Sequence, residues 1–301
     1  MTSNWVICTD RLSKSFGHVA AVRDLTLQIA RGGITGFLGR NGAGKSTTVK
    51  MLLGMTHPTA GSGHVLERCV TDRHASIEIR KRTAYVAEDK QTYAYFSVNE
   101  MIRFARSFYD DWQPEVEEQL LTRYALPPNR KVKRLSKGMR TKLALLLALA
   151  RKPALLILDE PTEGLDPVSI EELLQSLVAA AADGTTVFFS SHQIAEVERI
   201  ADRVCILDRG QLRVDVSLDY MREQYRRVTI GFATAPTVSL NVSGIERSRI
   251  VGRQMELLVS RNVNAIVDEA RRAAPLSIDV HPVGLRDLFL ETVRSDDQAV
   301  A

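Results

Sequence analysis

The sequence predicts an α/β protein, with a parallel sheet over roughly the first 215 residues and a small α+β domain after it. Three observations carry this. Short continuous apolar runs alternate with helix-like segments up to about residue 215. After Arg213 the texture changes, and strand-like runs crowd around two helical patterns. At 301 residues, the chain exceeds the usual span of one core.

The elements read in order. Asp24 to Ile29 alternates polar residues with Leu25, Leu27 and Ile29, the pattern of a half-buried strand. Ile34 to Leu38, Ala84 to Val86, Ala154 to Leu158 and Thr186 to Phe189 are short apolar runs, as strands buried on both faces require. Between them, Ser97-Val-Asn-Glu100 is a capping box ahead of a helix. Pro114 and Pro167 open further helices, the second capped by Asp166. In the tail, Arg227 to Phe232, Met255 to Ser260 and Leu276 to His281 read as strands. Asn264 to Ala273 and Leu285 to Val293 read as helices.

Composition narrows the class. Hydrophobic residues at 45% and charged residues at 25% exclude a disordered, collagen-like or coiled-coil chain. The longest apolar stretch, Leu143 to Ala150, is far short of the roughly 17–25 residues of a membrane span. The N-terminus has no basic start and no apolar core of a secretory signal, so a cytoplasmic location is expected. Cys8, Cys69 and Cys205 lie far apart without metal-ligand spacing, which fits a reduced compartment. The net charge is +4, yet from Val216 onward eleven Arg balance eleven Asp and Glu. Arg130 to Arg134 is the one basic cluster and reads as a solvated loop, so no nucleic-acid partner is expected.

Gly39-Arg40-Asn41-Gly42-Ala43-Gly44-Lys45-Ser46 fits GxxxxGK[ST], with an apolar strand before it and a helix, starting through Thr47, after it. Glycines let backbone N–H groups converge on phosphate oxygens at a helix N-terminus. Lys45 is expected to reach the β- and γ-phosphates and the Ser46 hydroxyl to hold Mg²⁺. A nucleoside triphosphate is the ligand this loop calls for. Further on, Leu155 to Leu158 leads into Asp159 and Glu160, two carboxylates at the C-terminal end of a buried strand. Asp159 suits Mg²⁺, directly or through water. Glu160 is placed to polarise an attacking water.

With these residues in view, the chain resembles the ATP-binding subunits of ATP-binding-cassette (ABC) transporters from about Trp5 to Leu212. Leu135-Ser136-Lys137-Gly138-Met139 resembles the family signature LSGGQ, and Glu163-Gly-Leu-Asp166 resembles its D-loop. His192, after Phe188-Phe-Ser-Ser191, resembles the switch histidine, and Phe16 stands where an aromatic stacks on adenine. The resemblance implies a P-loop NTPase cassette over 1–216, with a helical signature subdomain at about 92–150 and an accessory domain over 217–301. It also implies ATP and Mg²⁺ as cofactors, and a dimer in which Ser136, Gly138 and Asp166 of one copy cover the ATP held by the other. His192 would sense the γ-phosphate.

Three positions depart from the family pattern. Glu88, in Tyr85-Val-Ala-Glu88, replaces the usual Gln; it can still ligate Mg²⁺ but cannot donate a hydrogen bond. Lys137 and Met139 replace a Gly and the Gln of the signature, and Lys137 either adds charge near the triphosphate or points to solvent.

Eight of the eighteen aromatics lie between Tyr85 and Trp112. Phe104, Phe108 and Trp112, at four-residue spacing, are expected to form one core-facing helical stripe. Tyr93, Tyr95 and Phe96 are expected to face a partner, because in the family this region receives a helix of the membrane subunit.

Two functions follow from the resemblance. One is the ATPase subunit of a transporter at the cytoplasmic face of the membrane, driving a separately encoded membrane-spanning subunit. The tail segment Gly284-Leu-Arg-Asp-Leu-Phe289 resembles that of bacterial ABC-2-type exporters, which favours export. The alternative is a soluble cassette ATPase acting on ribosomes or nucleic acid, but one phosphate loop and no heptad tract argue against it.

Overall fold

The computed structural model describes residues 4–89, 93–236, 240 and 242–294. The chain divides into two compact units, Met1–Asp215 and Val216–Ala301.

The first unit opens with β1 (Trp5–Phe16), β2 (Val19–Ala30), β3 (Ile34–Leu38), α1 (Lys45–Leu52), β4 (Ala60–Val65) and β5 (Arg68–Cys69). Next come α2 (Arg73–Arg82), β6 (Thr83–Val86), α3 (Val98–Arg106), α4 (Pro114–Arg123) and α5 (Lys137–Leu149). It continues with β7 (Leu155–Asp159), α6 (Pro167–Ala182), β8 (Thr186–Ser191), α7 (Ile194–Ile200), β9 (Arg203–Asp208) and β10 (Gln211–Ser217).

One sheet has the order β10-β9-β3-β8-β7-β6, and from β9 to β6 the neighbours run parallel. β3, β7 and β8 are buried at every position, which is why their sequences are continuous apolar runs rather than alternations. Because the strands are parallel, the loops after β3, β7 and β8 leave from the same edge of the sheet. Those loops carry Gly39 to Ser46, Glu160 and His192 respectively. Arg209 and Gly210, both at positive φ, turn β9 back into β10. On β9, Cys205 is fully buried and its thiol donates to Asp215 Oδ1 at 3.3 Å, whereas Cys8 and Cys69 are half-buried.

The second sheet is antiparallel, in the order β2-β1-β4-β5. β2 contains the expected Asp24–Ile29 alternation, and its Leu25, Leu27 and Ile29 face inward. They join Phe37 of β3, Phe188 of β8 and Val49 and Leu52 of α1 in one core, so α1 is packed against both sheets. That fixes the direction in which α1 points at its N-terminus.

Helices α3 to α5 occupy the segment between β6 and β7. The capping box closes as expected: Ser97 N donates to Glu100 Oε2 at 2.6 Å, and Glu100 N to Ser97 Oγ at 3.2 Å. The expected aromatic stripe does not form. α3 ends at Arg106, where the Ser107 hydroxyl bonds back to Phe104 O at 2.7 Å. Phe108 therefore lies beyond the helix and is 64% exposed, while Trp112 is buried and donates to Glu117 Oε2 at 2.6 Å. Tyr93 and Tyr95 are exposed, and Phe96 is half-buried.

The second unit contains α8 (Leu218–Gln224), β11 (Arg226–Gly231), β12 (Ile245–Val251), β13 (Gln254–Val259), α9 (Val263–Arg272), β14 (Ser277–Pro282) and α10 (Leu285–Arg294). Its sheet is antiparallel, ordered β12-β13-β11-β14. Val228, Ile230, Met255, Leu257 and Val259 line one face, against Ile266 and Ala270 of α9. The sequence reading missed β12, an edge strand whose residues are mostly exposed, so that no apolar alternation marks it.

Candidate phosphate-binding and hydrolytic site

The loop Gly39 to Gly44 turns from β3 into α1, and Gly44 at the helix N-cap has φ 106°. A side chain is excluded there twice over, because an added Cβ would also strike Ala21 O. Lys45 is 5% exposed. Its Nζ donates to Gly39 O at 2.7 Å and Arg40 O at 3.2 Å, and lies 3.0 Å from Glu160 Oε1. That last pair is one of charge, since Glu160 Oε1 takes no aligned hydrogen bond. A cavity of about 280 Å³ opens beside the loop, walled by Ala21, Asn41, Gly42, Gly44, Lys45, Ser46, Thr47, Glu88, Glu160, Glu163 and His192.

Asp159 and Glu160 sit at the end of β7, 3% and 6% exposed. Glu160 has φ 45°, a left-handed conformation that costs a non-glycine residue on the order of 1–3 kcal/mol. Ser190, opposite Asp159 across β7 and β8, holds this turn. Its hydroxyl donates to Asp159 Oδ1 at 2.6 Å and accepts from Glu160 N at 3.0 Å. Glu160 Oε2 in turn meets His192 Nδ1 at 2.8 Å and its backbone N at 3.3 Å. With Glu160 ionised, Nδ1 carries the hydrogen. His192 Nε2 lies 3.7 Å from Glu163 Oε2. Glu160 thus joins buried Lys45 to the half-exposed His192.

Glu88 lies on the cavity wall. Nearby, Tyr85 has its hydroxyl pushed up to about 12, by burial first and then by the negative charges of Asp159 and Glu88.

The signature residues gather at the start of α5. Ser136 caps α5, its Oγ accepting from Met139 N at 3.2 Å. Gly138 lies so close to α6 that an added Cβ would meet Ser169 Oγ at 2.7 Å. Ser169 donates to Asp166 Oδ2 at 2.7 Å, while Asp166 Oδ1 accepts from Val168 N and Ser169 N, which holds its carboxyl below the usual range. Ser136, Gly138 and Asp166 are absent from the walls of the phosphate-loop cavity, as are Phe16, Gly39, Arg40, Ala43 and Asp159. Phe16 is 54% exposed, with Lys14 Nζ 5.0 Å from its ring centre. Lys137 does not simply point to solvent: its ammonium lies over Gly164, and with Arg140 it faces Glu88 and Asp89 across a second cavity.

Sequence reasoning passed over Ser190 and Ser191, although two hydroxyls ending a fully apolar strand were a usable signal. It passed over Thr162 and Glu196 as well.

Comparison with known proteins places these features. The sequence model of the family described as ABC transporter matches residues 22–163. The ABC transporter ATP-binding protein YtrB of Bacillus subtilis is 27% identical over 282 residues, 93% of this chain and 95% of that protein. The Nod factor export ATP-binding protein I of Bradyrhizobium diazoefficiens is 37% identical over 215 residues, 69% of each chain. Among solved structures, one described as an ATP-binding subunit of an ABC transporter superposes with a TM-score of 0.66 at 29% identity, over 72% of this chain and 92% of that one. At such identity over such lengths, this chain belongs to the ABC transporter family, as an ATP-binding subunit that hydrolyses ATP.

Proposed function

We propose that this ATPase powers export through a separately encoded membrane-spanning subunit, with two copies of the chain closing on two ATP molecules at the cytoplasmic face of the membrane. The observation that carries the dimer is the split within unit 1. Lys45, Glu160 and His192 line one cavity, while the signature serine and Asp166, which cap helices, are not among its walls. A second helix N-terminus offering N–H groups is idle in one chain and useful to a neighbour's phosphate. Similarity to a Nod factor export protein supports export.

ATP at the loop would exchange one anion for another at Lys45, which turns from Glu160 to the β- and γ-phosphates. Glu160, still held by His192, is then free to orient a water and take its proton. Exposed Phe16, with Lys14 at its ring, offers a face to the adenine. The donor set of Ser46, Asp159 and Glu88 is hard oxygen throughout, which fits Mg²⁺, and Ser190 already orients Asp159. When bound, that ion supplies charge neutralisation at the phosphates.

The test mixes two inactive chains. Lys45→Ala lacks a phosphate loop but keeps a signature; Ser136→Arg is the reverse. Each should be inactive alone, and their mixture should regain activity through dimers holding one complete composite site. A mixture as inactive as its components would overturn the composite site.

A further inference from the structure

Glu196, in the first turn of α7 and four residues past His192, is 5% exposed. Its Oε2 accepts two hydrogen bonds, from Thr162 Oγ1 at 2.7 Å and from Ser191 Oγ at 3.1 Å. Both hydroxyl residues are buried, Thr162 at 1% and Ser191 at 0%. Each belongs to a turn that carries a reacting group. Thr162 follows Glu160 by two residues, and its carbonyl accepts from Leu165 N at 3.0 Å. Ser191 precedes His192, and its Oγ accepts from Gln193 N at 2.9 Å. One carboxylate oxygen thus joins the segment after β7 to the last residue of β8.

The remaining oxygen makes this more than packing. Glu196 Oε1 is buried without a hydrogen-bond partner. Burial pushes the carboxyl up, the two hydroxyl donors pull the other way, and the charge of Glu160 adds to the rise. A polar group kept half-satisfied in such a place is a poor stabiliser. Yet an apolar residue could not accept from Thr162 and Ser191 at once. What the carboxyl adds is a tie between the segment that holds Glu160 and the one that holds His192, and these two side chains meet at 2.8 Å.

We propose that Glu196 is a positioning residue for ATP hydrolysis, clamping Thr162 to Ser191 so that Glu160 and His192 stay in register. The proposal rests on Glu160 and His192 being the hydrolytic pair.

The test is steady-state ATPase kinetics of the full chain, with nucleotide binding and thermal unfolding measured beside it. Glu196→Ala should lower kcat about tenfold or more while KM for ATP stays within about twofold, as expected when positioning and not binding is lost. Glu196→Gln keeps a carbonyl oxygen for both hydroxyls and should return kcat to within about threefold of the parent. Thr162→Val with Ser191→Ala should reproduce the loss, and adding Glu196→Ala to that pair should cost less than about twofold more. An unchanged kcat in Glu196→Ala overturns the proposal. So does a Gln variant as impaired as the Ala variant, or a parallel loss of nucleotide binding. If Glu196→Ala fails to fold, Thr162→Val and Ser191→Ala singly carry the same question, and unchanged turnover in both overturns it. Glu160→Gln, run alongside, separates the two readings. Turnover retained in that variant removes Glu160 as the base, while the other variants still decide whether the clamp sets the rate.

Discussion

Ser190 is a small residue between two carboxylates. Its hydroxyl serves Asp159 and the backbone of Glu160 together, so its removal leaves a buried carboxylate oxygen and a buried N–H unpaired. Ser190→Ala should destabilise the protein by about 1–3 kcal/mol and lower its ATPase kcat, read by chemical denaturation and a phosphate-release assay. An undiminished midpoint would mean that Asp159 finds another donor. The residues that chemistry marks in isolation were legible: Gly44, Lys45 and Glu160 carry motifs whose residue types leave few other uses. Ser190, Thr162 and Glu196 were not, because each is ordinary until a partner distant in sequence is known. Glu196 meets Thr162 across 34 positions, and no spacing rule connects them.

At the scale of the element, α3 has a readable start and an unreadable end. The capping box lies within four residues, so its logic is local. Its Glu100 carboxyl is held at about 2, against an ordinary 4.5, by the backbone and side chain of Ser97 and by Lys131. A carboxylate lowered on folding stabilises fully above its unfolded value, and that contribution fades as pH falls toward the folded one. Protection factors in α3, corrected for the intrinsic exchange rate, should therefore fall between about pH 4.5 and 2, and Glu100→Gln should flatten that dependence. If the parent and the variant share one acid profile, the box contributes nothing in solution. The end of α3 depends instead on Ser107 turning back to Phe104, and the aromatic spacing masked it. Strands β3, β7 and β8 were legible as continuous apolar runs. β1 was not, since its pairing with β2 slips register several times and breaks the alternation.

For the whole molecule, the unabsorbed feature is an aromatic surface. Tyr93, Phe96, Phe104 and Phe108 form a chain of ring contacts, with centroids 5.0–5.6 Å apart. Tyr95 is 76% exposed, with Lys133 Nζ 4.9 Å from its ring. Aromatics clustered and solvated are the usual composition of an interface core. The family resemblance makes this face the expected docking site of the proposed membrane-spanning subunit. Tyr95→Ala with Phe108→Ala should leave basal ATPase intact and abolish co-purification of a multi-span protein from detergent-solubilised membranes. Undiminished co-purification would move the docking site elsewhere. The parallel sheet was legible from alternating patterns, whereas the helical subdomain came from the family resemblance. That the signature of one copy covers the nucleotide of the other came from the family resemblance, because motif order alone says nothing about which surfaces meet.

Cys205 gives the central sheet a clock. Its thiol is fully enclosed on β9 and bonded to Asp215, and burial, with that carboxylate, raises it well above the ordinary thiol range. A thiol reagent attacks the thiolate, so Cys205 can react only when the strand opens. Cys8 and Cys69, both half-buried, should be modified first, the latter aided by the Thr71 hydroxyl that draws its thiol down. Under excess reagent, the slow third equivalent then reports how often the sheet opens around β9. If ATP slows that third phase, the nucleotide's grip on the loop after β3 is being felt one strand away; a rate indifferent to ATP would mean that the loop binds without tightening the sheet behind it.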